Sequence, residues 1–180
     1  MISGLVRYHD DLAGLLTPID DVQQHPENYN NGDLDAIVES IEVNGMYRPL
    51  YVQKDTGYIV AGNHTWLACK MLEATEVPVV YVDLNNHQAR KILVADNQIA
   101  ALARPDDAQL LDLLDRIAVD DGLSGTGFDE NSVEALRLLQ AKLAHTPIGA
   151  GPNPFSLDLC CPNCGHTWTV ANPSSRPVAD

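Results

Sequence analysis

The sequence predicts an α+β fold: a small mixed sheet with packed helices, then further helices and a short cysteine-rich tail. Three observations predict it. Short β-rich runs at 51–54, 58–61 and 77–82 are interleaved with helical patterns. From 88 to 143 the apolar residues recur at helical spacing. Three of the four cysteines fall within 160–164, beyond a stretch rich in Gly and Pro.

The elements follow in order. Residues 16–22 read as a short extended segment and a turn, and 23–31 as a polar loop. Over 33–44, Leu34, Ile37, Val38 and Ile41 have helical spacing, and Gly45 is a natural stop. The strands 51–54 and 58–61 flank Asp55-Thr56-Gly57, a hairpin signal. A helix over 64–72 comes next. The run 77–82 is β-branched on both faces, as in a buried strand, with Pro78 near its start. Asn85 or Asn86 caps a helix through 88–102. Pro105 opens another, with Leu110, Leu111, Leu113, Leu114 and Ile117 on its apolar side. A Gly-rich loop at 120–127 leads to Asp129, the cap of an amphipathic helix with Val133, Leu136, Leu139 and Leu143. These readings divide the chain into a domain at 5–104, a helical extension at 105–145, a linker at 146–155 and the tail at 156–180.

Composition narrows the function. The chain of 180 residues is 45% hydrophobic, enough for a packed core. No apolar run is long enough to span a bilayer, and the N-terminus lacks a signal-peptide layout, so a cytoplasmic protein without a membrane partner is expected. The net charge is −14, and segments 1–104 and 105–180 each contribute −7. Net charge therefore disfavours non-specific DNA binding and leaves only a local basic patch for it.

The most informative stretch is Val60-Ala61-Gly62-Asn63-His64-Thr65-Trp66, where a strand ends at a glycine and a helix begins. Such a junction gathers backbone N–H groups and the positive end of a helix dipole at one point, which suits a phosphate. The plainer alternative is a strand–helix connection with a capping residue.

These residues, with Arg48-Pro49-Leu50-Tyr51-Val52 and Val77-Pro78-Val79-Val80, resemble the ParB N-terminal / sulfiredoxin-like domain. Val82-Asp83-Leu84, Ala95-Asp96-Asn97-Gln98-Ile99-Ala100 and Gly127-Phe128-Asp129 are similar to its branch in phages and mobile elements, often linked to DNA methyltransferases. The resemblance covers 5–144 and implies nucleotide phosphates at the glycine turn. It points to Gly62, Asn63, His64, Thr65 and Asn97 for phosphate or nucleotide binding. Arg48, Lys70, Arg90 and Lys91 are candidate cations flanking the same cleft, with a solvated surface position the plainer reading of Arg90 and Lys91. His64, as a neutral donor to phosphate, and Asp96 are the candidate catalytic residues; Asp96 with Asn97 also suits Mg²⁺ carried with a nucleoside triphosphate. Two departures bear on catalysis. Thr65 and Ala100 stand where relatives have arginine, and Asn63 stands where a sulfiredoxin has its reactive cysteine. Phosphate binding is therefore implied more firmly than cleavage.

In the tail, Cys161-Pro162-Asn163-Cys164-Gly165 has zinc-knuckle spacing. Cys160 and His166 complete a local four-ligand Zn²⁺ set, two tails share one ion across a homodimer, or the motif is a remnant without metal. Three functions follow. The first is a ParB-like protein binding nucleotide or DNA phosphate in phage or plasmid DNA maintenance or modification. The second is a nuclease, nucleotidase or small-molecule kinase of the same fold, using His64, Asp96 and Glu42 or Asp83. The third is a non-catalytic adaptor to a DNA methyltransferase or another DNA-processing protein.

Overall fold

A computed structural model describes residues 6–145, 156–160 and 167–171. The chain divides into two units, Met1–Arg137 and Leu138–Asp180. The first holds a five-stranded mixed sheet: β1 (Leu16–Pro18), β2 (Gln23–Gln24), β3 (Leu50–Gln53), β4 (Tyr58–Ala61) and β5 (Glu76–Val82), in the order β1-β5-β3-β4-β2. β3 and β4 form the expected antiparallel hairpin, with Gly57 at φ 71° in its turn. β5 lies between β1 and β3, antiparallel to the first and parallel to the second. Val77, Pro78 and Val79 are buried, in keeping with a β-branched interior strand.

The helices are α1 (Leu34–Asn44), α2 (Asn63–Met71), α3 (Asn86–Leu102), α4 (Asp107–Asp120) and α5 (Glu130–His145). Ile41 of α1 and Ala68 and Cys69 of α2 share a core with Leu50, Val52, Ile59, Val77 and Val79 of the sheet. Full burial of one such isoleucine contributes about 1.5–3 kcal/mol. α3 packs against β4, and Val60, Ala89 and Leu93 are buried. α2 and α3 thus bracket the C-terminal end of β4, the place where the chain turns at Gly62.

Local chemistry explains the helix starts. Asp33 accepts from Ala36 N–H at 3.1 Å. Asn85, not Asn86, caps α3 in a reciprocal box with Gln88. Asp106 caps α4 through Ala108 and Gln109, so Pro105 precedes the cap rather than opening the helix. Asp129 and Ser132 cap α5 reciprocally.

The run 16–22 is the expected extended segment and turn: after Pro18 a 3₁₀ turn, Ile19–Asp21, buries Ile19 while its N–H bonds Thr75 O at 3.0 Å. Other expectations are corrected. The loop at 23–31 begins with β2, because Gln23 N–H reaches Gly57 O at 3.0 Å and the pair aligns with Tyr58 and Ile59. A 3₁₀ helix at Asp10–Leu15 is a further addition, burying Leu12. The unit from Leu138 contains the end of α5 and a hairpin of β6 (Ser156–Cys160) and β7 (Thr167–Ala171). Cys160 ends β6; Cys161, Cys164 and His166 lie outside the described residues, as does the linker.

Candidate functional site

β4 ends at Ala61, and Gly62 takes φ 94°, ψ 21° as the N-cap of α2. That conformation favours glycine, and a Cβ here would stand 2.7 Å from Leu50 Cδ2. Both demands fix glycine at the turn. The first intrahelical bond is Trp66 N–H to Gly62 O at 3.0 Å. The N–H groups ahead of it have no carbonyl in the preceding turn to bond.

A cavity of about 230 Å³ opens at this helix end, and Arg48, Gly62, His64, Thr65, Asp96 and Asn97 are among the residues that line it. Asn30, Ile37 and Ala100 complete more of its wall. Arg48 and Thr65 also line two adjoining cavities, of about 240 and 70 Å³, the smaller shared with Asp96. The sequence separation between Arg48, the turn and Asp96 is closed by β3, β4 and α3 meeting at one corner of the sheet. Arg48 makes no ion pair there among the described residues.

Three of the expected ligands have other employment. Asn63 is 5% exposed; its Oδ1 accepts from His25 N–H at 2.9 Å and its Nδ2 donates to Ile59 O at 3.1 Å. It lines the cavity while clipping the chain after β2 to the end of β4. His64 Nε2 lies 3.0 Å from Gly32 N and 2.9 Å from Asn30 O, so this nitrogen serves the 30–32 loop, as acceptor from one or donor to the other. Lys70 is not at the turn: it pairs with Asp20, and its ammonium sits 5.4 Å from the Trp66 ring centroid. The cause is helix rise, since seven residues carry it about 10 Å along the axis from Asn63.

Asn97 accepts from Asn30 Nδ2 at 3.1 Å and donates to Leu93 O at 3.1 Å, which ties α3 to the same loop. Arg90 lies outside this cavity, 2.6 Å from Glu27, and lines a separate one with His25 and Tyr58. That ion pair holds the Glu27 carboxyl below the usual range. Burial lowers the His25 pKa from its ordinary 6.5, against the Glu27 carboxylate, which raises it; Arg90 lowers it further. Burial pushes the Cys69 thiol up to about 12 and its Sγ faces Met46 Sδ, so it is a core group.

Sequence reasoning missed Asn30, which lies in the 23–31 loop, Gly32, whose N–H meets His64, and Gly125, Thr126 and Gly127 in the 240 Å³ cavity. The Asn-Asn-Gly cluster before Asp33 was the available signal for the first pair. None was available for the second group, because only the folded α4–α5 connection brings it to α1.

The model of the ParB N-terminal domain matches residues 13–98. A probable chromosome 2-partitioning protein ParB of Deinococcus radiodurans is 34% identical, over 48% of this chain and 37% of its own length. A probable chromosome-partitioning protein ParB of Rickettsia felis is 28% identical, over 41% and 26%. These matches span about a third of the curated relatives or less. Among solved structures, the C-terminally truncated chromosome-partitioning protein ParB of Caulobacter crescentus, complexed with CTP-γ-S, aligns with a TM-score of 0.57 at 20% identity, covering 70% of this chain and 77% of that one. The mixed sheet with its packed helices is thus the fold of the ParB N-terminal domain.

Proposed function

We propose that this chain binds a nucleoside triphosphate with Mg²⁺ at the Gly62 turn and acts in DNA maintenance of the partitioning kind. The observation that carries the reading is one cavity lined by an open helix N-terminus, a guanidinium without an ion pair among the described residues, and a carboxylate. Backbone N–H groups of α2 and the Arg48 fork would hold phosphate oxygens. The Asp96 carboxylate would repel a bare triphosphate, and Asp96 would help hold an oxygen-seeking cation that offsets that repulsion. The residues therefore fit a Mg²⁺–nucleotide. CTP is the first nucleotide to try, given the CTP-γ-S bound by the Caulobacter crescentus protein.

Binding is favoured over hydrolysis. Phosphoryl transfer needs positive charge at the moving group, and Arg48 is the only Lys or Arg lining this cavity among the described residues. Relatives named as chromosome- and plasmid-partitioning proteins support the DNA-maintenance role. A phage or plasmid source, a cytoplasmic setting, a homodimer and a methyltransferase partner belong to the same proposal. So does Zn²⁺ in the tail, which metal analysis of the purified chain would test.

Calorimetry with CTP, UTP, ATP and GTP, with Mg²⁺ and with EDTA, tests the reading. The expected result is Mg²⁺-dependent binding of at least one nucleotide, weakened about tenfold or more by Arg48→Ala and abolished by Gly62→Val, with Lys70→Ala neutral. Absence of binding by all four would overturn it.

A further inference from the structure

We infer that the loop joining α4 to α5 is a wall of the nucleotide cleft, positioned by Glu39, and that it holds the nucleoside end of the ligand rather than its phosphates. The inference rests on the nucleotide reading above. Two cavities of nearly equal size meet at Arg48 and Thr65. The one at the helix N-terminus is the more polar, with Asn30, His64, Asp96 and Asn97 beside Ile37, Val60 and Ala100. The other, of about 240 Å³, has the side chains of Ala36, Ile37, Ile41 and Met46 in its wall. A ligand with its phosphates at Gly62 and its length carried past Arg48 places a flat, partly apolar group in that second space. In a nucleotide that group is the base with its sugar.

Gly125, Thr126 and Gly127 form one side of this second cavity, which Ser40, Gly45 and Tyr47 also line. They are seated on α1 by side chains. Ser124 Oγ donates to Glu39 Oε1 at 2.6 Å, and Gly125 N–H donates to the same oxygen at 3.3 Å. Asn44 Nδ2 donates to Gly125 O at 3.0 Å. Gly125 has φ 78°, and a Cβ there would stand 2.8 Å from Val43 Cβ, so the close seat requires glycine. Thr126 Oγ1 is spent on Leu123 O at 2.6 Å, which makes the loop a shaped wall more than a source of ligand donors. Glu39 and Ser124 are both exposed. Their removal releases the loop without opening the core, and neither side chain lines the cleft.

The test compares Mg²⁺–CTP with Mg²⁺–tripolyphosphate on the full chain, as wild type, Ser124→Ala and Glu39→Ala. Ser124→Ala is the charge-neutral variant, and thermal unfolding checks that each variant is folded. The expected result is about a fivefold loss of CTP affinity in Ser124→Ala, with tripolyphosphate affinity unchanged. Glu39→Ala is expected to lose CTP affinity relative to tripolyphosphate by at least as much. Equal loss of both ligands, or no loss of either, would overturn the inference while leaving nucleotide binding standing. A wild-type chain that binds tripolyphosphate but gains nothing from the nucleoside would overturn it too. A wild-type chain that binds neither ligand overturns the nucleotide reading itself.

Discussion

Asn63 follows the turn glycine and faces a cavity, yet its side chain is spent on the fold. It holds one backbone donor, at His25, and one acceptor, at Ile59. Asn63→Ala strands both in a buried place, and a loss of about 2–4 kcal/mol is expected in urea unfolding. His25 gives a second prediction, through pH. Burial lowers its folded-state pKa below the unfolded 6.5, so the unfolded chain binds this proton more readily. The associated stability is complete above that value and is lost as pH falls through the lowered folded pKa. The melting-temperature gap between wild type and His25→Gln should therefore be full and constant above about pH 6.5 and shrink on acidification.

At the scale of elements, all five helices, α1 to α5, were legible because their signals are local. Asp33, Asn85 and Asp129 precede apolar periodicity, and each is bonded to its own first turn. Asn85→Ala removes one half of a reciprocal box and should cost about 1 kcal/mol, read by chemical denaturation. Because α3 also carries Asp96, fraying at that end tests how far nucleotide binding depends on the helix start. The elements that escaped sequence reading have distant partners. β2 exists through Gly57 and Tyr58, and the 3₁₀ helix at Asp10–Leu15 lies against β5. Two glutamines and an Asp-Asp-Leu-Ala-Gly-Leu run say little of either.

The whole molecule carries −14, and the helical extension is acidic on its own account. Two of its bases are paired: Arg116 with Asp112, and Arg137 with Asp115 and Glu134. Phosphate contacts along DNA need free cations, so random duplex DNA should show no binding to this chain near 0.15 M salt in fluorescence anisotropy. The site was half legible at this scale. Gly62, His64 and Thr65 are neighbours in sequence; the resemblance added Asp96, the need for a cation in place of the missing arginine added Arg48, and both share a cavity with them. Helix rise alone argued against Lys70. The Gly125–Gly127 wall was invisible, since a Gly-rich loop carries no sign of where it will dock.

Trp66 stands one residue past Thr65, its indole N–H fixed to Ile19 O at 3.1 Å and its ring beneath the Lys70 ammonium. Indole emission responds to such a charge, to hydrogen bonding and to small rotations of the helix that bears it. The chain has two tryptophans, and Trp168→Phe leaves Trp66 alone. The molecule then has a built-in optical reporter one step from the turn, and a ligand that tightens α2 against the 30–32 loop registers as a change in colour and lifetime without any attached dye.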